Sequence, residues 1–346
     1  MQKEKFYVTT PIYYGNGLPH VGHFYSSIIA NTLYKYAKIS GKKARFTTGI
    51  DENSQKAVIK AEEQGVPIME YLDTMANEHK KVWDFFNLDY TDFIRTTEKR
   101  HHTLVQEVLT TCHKRGDIYE GEYEGMYCVG CEAFKKDDDL VILDTATNKT
   151  LPLDVKGVPE GGGIGQYVRV CPDHLKEPDK IKEKNYFFKL SKYQTWMQEF
   201  YEANPEFVVP KFRFNEVIAF VERGLEDFSI SRETNTFGIP LPFDPSQVTY
   251  VWFDALFNYY TSCKYSPHPQ PLSQGARGVE IDGKMFYDES DVWPADVHIV
   301  GKDIIRFHAI YWPAMLASYF GLGEEREGVL HYVETDREKL PATILT

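Results

Sequence analysis

Predicted strands alternate with predicted helices in two separate stretches of this 346-residue chain, and a stretch of different character lies between them. In the first stretch, strands expected at 5–10 and 43–48 are followed by helical patterns at 21–38 and 54–64. Consecutive parallel strands need a crossover connection, which is usually a helix. The alternation therefore predicts an α/β fold built on a Rossmann-type, doubly wound parallel sheet.

The intervening stretch splits this sheet. It is rich in Gly, Tyr, Asp and Cys, with a strand-like segment at 186–188 and a helical pattern near 191–203. Beyond it, a strand is expected at 250–253 that runs into a helix, and another at 297–300 that is followed by a helix to about Phe320. We therefore predict the first half of a catalytic sheet domain at 1–116, a connective insertion at 117–210 and the second half of the sheet domain at 211–346.

One segment of the second half, 266–283, combines several Pro and Gly residues with no apolar periodicity. Such a composition gives no face that a strand or helix would bury, so we expect a disordered surface loop. Its single histidine, His268, is expected to be incidental.

Composition narrows the classes of protein that remain. No apolar run approaches the ~20 residues that a membrane-spanning helix needs, so no membrane partner is expected. The first residues lack the pattern of a secretory signal, which makes a cytoplasmic location the expectation. The formal net charge of −12 argues mildly against a nucleic-acid partner unless basic residues gather on one face.

The segment Pro19-His20-Val21-Gly22-His23 lies between a loop of turn-forming residues and a predicted helix. Its two imidazoles, three residues apart, share a helix face close to the N-terminus, where free N–H groups and the macrodipole favour anions. Gly22 would let a ligand approach the backbone closely. A triphosphate is the expected ligand, and a surface histidine pair without function is the alternative for so short a string.

Three aspartates, Asp51, Asp254 and Asp303, each follow an expected strand. In an open α/β sheet the ligand crevice lies outside the carboxyl ends of the strands, so one pocket can collect these side chains with the histidine pair. Each aspartate alone would also suit a helix N-cap. The convergence, rather than any single residue, predicts a site.

The cysteines form two short patterns within the insertion, Cys128-x-x-Cys131 and Cys171-x-x-His174. Four ligands of this type and spacing predict a closed, structural zinc site, with a metal-free pair of thiols as the alternative. Cys112 and Cys263 have no such partners and are expected to be core thiols.

The histidine region, Thr10 to His23, resembles the His-Ile-Gly-His signature of class I aminoacyl-tRNA synthetases in its methionyl form. The resemblance runs through nearly the whole chain and also rests on segments 93–97, 121–125, 250–256 and 301–309. It implies that the chain activates methionine with ATP and Mg²⁺ and transfers it to tRNA(Met). It also implies that the zinc knuckle lies in the peptide connecting the two halves of the sheet.

The resemblance assigns roles to individual residues. His20 and His23 would be catalytic, stabilising the ATP phosphates, and the ATP site would comprise His20, Gly22, His23, Gly301 and Asp303. Methionine would be bound by Ile12, Tyr14, Asp51, Trp252, Ala255, Leu256, Tyr259, Ile304, His308 and Trp312, with Asp51 holding its amino group.

In two respects the chain departs from the family pattern. The family commonly has Gly-Thr-Asp-Glu-His-Gly where this chain has Gly49-Ile50-Asp51-Glu52-Asn53-Ser54, which leaves the nucleotide contacts at Asn53 and Ser54 open. The second family signature, Lys-Met-Ser-Lys-Ser, and the anticodon-binding domain are not present in this sequence. Because residues 339–346 form an apolar, strand-like run, we expect a truncated product or an excerpt that binds methionine better than it activates it.

Three other hypotheses remain at this point. In the first, the chain is a small nucleotidyltransferase that shares the His-x-Gly-His string; the zinc module and the region of Trp252 argue against it. In the second, the chain is a cysteinyl, leucyl or valyl synthetase; the small insertion argues against the last two. In the third, the chain is a non-catalytic, zinc-stabilised binding module; the joint presence of His20, His23 and Asp51 favours an enzyme instead.

Overall fold

The computed structural model describes residues 4–128, 133–135, 139–151, 167–233, 237–267 and 277–346. Its α-helices are α1 Val21–Ile39, α2 Gln55–Gln64, α3 Ile68–Phe85, α4 Lys99–Lys114, α5 Gln194–Ala203, α6 Lys211–Glu222, α7 Val251–Leu256, α8 Asn258–Lys264 and α9 Trp312–Phe320. Within those ranges, none of the helices has both the length and the hydropathy needed to cross a membrane.

The strands are short except where they enter the central sheet or the insertion. They are β1 Lys5–Tyr14, β2 Lys43–Asp51, β3 Asp92–Arg95, β4 Ile118–Cys128, β5 Ala133–Lys135, β6 Val141–Asp144, β7 Lys149–Leu151, β8 Tyr167–Val170, β9 Asp179–Phe188, β10 Val208–Val209, β11 Phe228–Ser229, β12 Ser231–Arg232, β13 Val248–Thr249, β14 Gly278–Ile281, β15 Lys284–Tyr287, β16 Val297–Ile299, β17 Glu324–Arg326, β18 Val329–His331 and β19 Thr343–Leu345. Short 3₁₀ helices occupy Leu190–Tyr193, Ser290–Val292, Lys302–Ile304 and Glu334–Lys339, and a π-helix occupies Phe307–Tyr311.

The central sheet has six strands in the order β10-β19-β16-β1-β2-β3, and its pairings are parallel. Successive side chains of β1 enter different cores, because strand residues alternate between the two faces of a sheet. Tyr7 joins the large cluster that contains residues of α4, α5, α8 and α9, whereas Val8 packs with Ala30 and Tyr34 of α1. Helices cover both faces, so the predicted doubly wound α/β fold is confirmed.

The chain divides into two compact units, one comprising 1–119 and 186–346 and the other comprising 120–185. The first unit contains the parallel sheet. In the second unit, β6 pairs antiparallel with β7 and β8, and β4 pairs antiparallel with β5. This division differs from the predicted insertion of 117–210, because the segment from Tyr186 through α5 contributes Phe188, Trp196 and Phe200 to the core of the sheet-bearing unit.

The strand predicted at 250–253 is wrong. The strand at this place is Val248–Thr249, and α7 begins at Val251 with Tyr250 as its N-cap. The β-branched and aromatic residues that suggested a strand are buried in the core, where packing outweighs intrinsic propensity. Asp254 therefore lies inside a helix rather than after a strand.

Part of the predicted loop at 266–283 is an ordered hairpin. Gly278–Ile281 pairs antiparallel with Lys284–Tyr287, and the turn between them has positive φ at Asp282 and Gly283, 53° and 72°. An Asp-Gly pair with that geometry is a strong hairpin signal, and the hairpin forms despite the Pro- and Gly-rich composition that precedes it. Residues 268–276 lie outside the described residues.

Buried charges join the two halves of the sheet-bearing unit. Arg45 of β2 donates to Glu289 at 2.8 Å, and Arg100 of α4 donates to both carboxylate oxygens of Asp92 of β3, each at 2.8 Å. The Ser262 hydroxyl of α8 donates to Asp92 at 2.7 Å. All five side chains are buried, so each charge depends on its partners for the interactions that water would otherwise supply.

We expect Glu289→Gln to lower the free energy of unfolding by about 3–5 kcal/mol, because Arg45 would lose the carboxylate that compensates its buried charge. Chemical denaturation followed by circular dichroism measures this. Glu63→Gln, which removes the exposed partner of Lys60, is the matched control and should cost less than about 1 kcal/mol. Equal losses for the two variants would contradict the importance of the buried network.

Candidate active site and metal centre

The order of the central sheet reverses between β1 and β16. From this pair the chain continues to β2 on one side and to β19 on the other. Ligands of open α/β sheets bind outside the carboxyl ends of the strands at such a reversal. Residues 15–20 follow β1, Asp51 ends β2, and Gly301 and Asp303 follow β16, so these sequence-predicted residues all lie at the carboxyl ends of the strands, where such a crevice is expected.

His20 is the N-cap residue of α1. Its Nδ1 accepts a hydrogen bond from the backbone N–H of Gly22 at 3.0 Å, so Nε2 carries the ring hydrogen and is the available donor. A Cβ at position 22 would lie 2.9 Å from Cε1 of His20. The absent side chain of Gly22 thus makes room for the imidazole itself, a different reason for this glycine from the predicted approach of a ligand.

His23 lies against His20, with 3.7 Å between ring centroids, and stacks on Tyr13 at 4.4 Å. A third imidazole, His79 of α3, lies 6.1 Å from His23 on the inner side. Burial, reinforced by repulsion from His20 and His79, lowers the pKa of His23 to about 4. His23 therefore rests uncharged at neutral pH, in a place where an incoming anion would favour its charged form.

Asp51 is buried at the end of β2, in register with Tyr14 of β1, and its backbone carbonyl accepts from the N–H of Gly15 at 2.7 Å. The following residues have structural partners. Asn53 donates to the buried carboxylate of Asp254 at 2.7 Å, and Ser54 caps α2 by accepting from the N–H of Lys56 at 3.2 Å. These two departures from the family string thus fasten the end of β2 to α7 and α2.

A half-buried aromatic group lies at the start of α7. Trp252 stacks on Phe307 with 3.7 Å between ring centroids and an interplanar angle of 5°, and Tyr14 approaches Trp252 edge-on at 6.4 Å. Phe307 is the first residue of the π-helix. Since π-helical turns occur often at functional sites, its position beside the crevice is consistent with a binding role.

Deeper in the core, Tyr259 of α8 and His308 of the π-helix share a hydrogen bond of 2.7 Å between the hydroxyl and Nε2. His308 Nδ1 lies 3.0 Å from the carbonyl of Ile304, which can only accept, so Nδ1 carries the hydrogen and the Tyr259 hydroxyl donates to Nε2. Burial lowers the pKa of His308 to about 4 and raises that of Tyr259. Both groups are uncharged at neutral pH, and Trp312 lies beside them, 6.0 Å from Tyr259.

The remaining residues predicted for the ATP and methionine sites differ in their exposure to solvent. Gly301 and Asp303 are exposed at the 3₁₀ turn, Ile12 is half-buried, and Ala255 and Leu256 are buried on α7. The predicted residues also contact described residues that the sequence patterns did not single out, among them Tyr13, His79, His298 and Phe307. Histidines at buried strand or helix positions were the only available signal for two of these.

The insertion brings Cys128, Cys171 and His174 together, with their ligand atoms within 4.8 Å of one another. Both thiol sulfurs lie 3.8 Å from Nδ1 of His174. In a tetrahedral zinc site, sulfur and nitrogen ligands are separated by roughly 3.6 Å. The three residues are thus placed to hold a metal ion, and the fourth predicted ligand, Cys131, lies outside the described residues.

Comparison with known proteins agrees with this arrangement. The family described as tRNA synthetases class I (M) matches residues 6–340. The methionine–tRNA ligase of Streptomyces coelicolor is 43% identical over 312 residues, which are 90% of this chain and 52% of that protein. The corresponding ligase of Fusobacterium nucleatum is 42% identical over 91% of this chain and 43% of its own length. The chain spans about half the length of these curated relatives.

Solved structures give the same result. Mycobacterium tuberculosis methionyl-tRNA synthetase in complex with methionyl-adenylate has a TM-score of 0.78 and 32% identity, over 99% of this chain and 57% of that one. Its apo form has a TM-score of 0.71 and 31% identity. The chain therefore belongs to the methionyl group of the class I tRNA synthetases.

Proposed function

We propose that the chain carries the methionine-activating site of a methionine–tRNA ligase, which forms methionyl-adenylate from methionine and ATP and serves tRNA(Met). The observation that supports the proposal is the sheet reversal at β1 and β16, because the histidine pair, Asp51 and the loop at Gly301 all come at or after the carboxyl ends of the strands beside it. A relative of the same fold is described in complex with methionyl-adenylate, a product of that chemistry.

The proposed reaction is an in-line displacement at the α-phosphorus of ATP. An oxygen of the methionine carboxylate forms the new bond to phosphorus, and the bond to the departing pyrophosphate breaks. Such a transfer requires mainly positioning and charge stabilisation from the protein. His20 contributes the Nε2–H donor beside the helix N-terminus, and His23 becomes a stronger donor when the phosphates favour its protonation. Gly22, Gly301 and Asp303 complete the proposed ATP site, to which Mg²⁺ comes with its nucleotide.

Methionine would occupy the aromatic side of the crevice. Asp51 is proposed to hold its ammonium group, while Tyr259, His308 and Trp312 receive the thioether. Aromatic edges suit a polarizable sulfur. Ile12, Tyr14, Trp252, Ala255, Leu256 and Ile304 are proposed to complete the pocket.

For the cluster in the insertion we propose a structural zinc ion, held by Cys128, Cys171, His174 and Cys131. Two thiols and one imidazole already meet with separations that suit zinc, and thiolate-rich sites select soft or borderline metals. Such an ion would fix the ends of β4 and β8 relative to each other.

The ammonium role of Asp51 is tested by Asp51→Asn, which we expect to weaken methionine binding at least about thirtyfold, as loss of a buried charge partner does. Isothermal titration calorimetry on the 346-residue chain measures the dissociation constant. The matched control is Glu52→Gln, because Glu52 is equally buried but pairs with Arg95 at 2.7 Å. Unchanged methionine affinity in Asp51→Asn would contradict the assignment.

The resting state of His23 is tested by an NMR pH titration of its ring protons, assigned by their disappearance in His23→Gln. We expect a midpoint near 4 in the free chain and a higher midpoint with Mg-ATP bound. Because the folded pKa lies below the ordinary 6.5, the unfolded chain binds the extra proton first, and this residue destabilises the fold as the pH falls from about 6.5 to 4. A midpoint near 6.5 in the free chain would refute the buried, uncharged state.

Zinc is tested by elemental analysis of the purified chain, for which we expect one zinc ion per molecule. Cys128→Ser and His174→Ala should each lose it, because a structural site needs all its ligands. Cys112→Ser, which changes a buried thiol of the sheet-bearing unit, is the control and should keep it. Zinc retained by both ligand variants, or another metal in its place, would overturn the proposal.

A further inference from the structure

His298 lies at the seam between the two middle strands of the sheet. It is fully buried in β16 and stands in register with Thr9 of β1. Its Nδ1 lies 2.6 Å from the Thr9 hydroxyl oxygen, a contact that joins residues 289 positions apart. None of the roles proposed above uses this imidazole, although it occupies the strand pair at which the crevice opens.

The other nitrogen of His298 contacts Trp312, a residue of the proposed methionine pocket. The indole N–H of Trp312 lies 3.3 Å from Nε2 of His298 and can only donate, so Nε2 is the acceptor. Burial, with the neighbouring His308, lowers the pKa of His298, which favours the neutral ring. Nδ1 therefore carries the hydrogen and donates to Thr9. The same imidazole packs 4.4 Å from the Tyr259 ring, centroid to centroid.

We propose that His298 is a positioning residue that fixes the Trp312 indole and the Tyr259 ring as the wall of the side-chain pocket; this inference rests on the proposed function. Rotation of Trp312 would leave its N–H without an acceptor in the core, which is costly. His298 therefore selects one orientation of the indole, and its own orientation is set by the hydrogen bond to β1.

The arrangement also determines which side chains the wall accepts. All four ring nitrogens of His298 and His308 have partners, namely Thr9, Trp312, Tyr259 and the Ile304 carbonyl. A thioether needs no hydrogen-bond partner, whereas the carboxamide of glutamine, of similar length, would be buried with its groups largely unsatisfied. The satisfied wall thus favours methionine over glutamine, and loosening it should reduce that preference.

The test uses the 346-residue chain and titration calorimetry with methionine and glutamine. His298→Asn keeps an amide near Thr9 but is too short for Trp312, and it should weaken methionine binding about tenfold, the effect of one buried donor left unsatisfied. His298→Gln, which reaches Trp312, should restore most of the affinity. Trp312→Phe should also weaken methionine binding. The double variant His298→Asn/Trp312→Phe should bind methionine as well as the single variant with the lower affinity, because the two residues act through one contact.

A matched control separates positioning from stability. Trp196→Phe removes another fully buried indole hydrogen bond, the 3.0 Å contact with Asp336. It should lower the melting temperature while leaving the methionine dissociation constant unchanged. Wild-type affinity in a folded His298→Asn variant, or strictly additive effects in the double variant, would overturn the inference.

Ring ¹⁵N chemical shifts of His298 test the geometry without any ligand. A protonated Nδ1 and an unprotonated Nε2 are expected, and the opposite tautomer would overturn the inference even if methionine binds. If the wild-type chain binds no methionine while the expected tautomer is observed, the proposed function fails instead. Should His298→Asn not fold, Trp312→Phe and the tautomer measurement still decide the matter.

Discussion

The rest of the structure depends on the parallel pairing of β1 with β16. These strands come from opposite ends of the chain, and Thr9 meets His298, which lies 289 positions further along the sequence. Closing so long a loop costs conformational entropy, which the burial of both sheet faces and the charge network of Arg45, Glu289 and Asp92 help to offset. The crevice exists only when this pairing has formed, so folding and assembly of the proposed site are one event.

Sequence patterns located the first helix and the second strand close to their observed positions. The first helix was predicted at 21–38 and spans Val21–Ile39, and the strand predicted at 43–48 extends to Asp51. Residues 251–253 are helical rather than extended, and the sequence pattern does not show it because Val251–Leu256 is buried nearly all round, which removes the difference between helical and strand periods. The Asp282-Gly283 turn was readable, but the composition of the surrounding segment obscured it.

The residues of the candidate site also fall into two groups, those that sequence patterns predict and those that only the tertiary structure reveals. Residues carried by short strings, such as His20, His23 and the Cys/His pairs, can be proposed as candidates because the chemistry and the spacing occur together in sequence. His79 and His298 could not, because their significance depends on which side chains the tertiary fold places beside them. An isolated histidine in a buried strand has the same sequence appearance whether it fills space or orients a neighbour.

The π-helix Phe307–Tyr311 has a further consequence for how such a chain can change in length. One extra residue per turn separates Phe307 and His308 from the α-helix that begins at Trp312. Deleting one residue of the π-helix would restore ordinary α-helical winding. The residues before the deletion would then be rotated about the helix axis by about 100° relative to the residues after it. Trp252 would then lose its stacking partner, or Tyr259 its imidazole. The number of residues in this segment is therefore constrained as strictly as their identity.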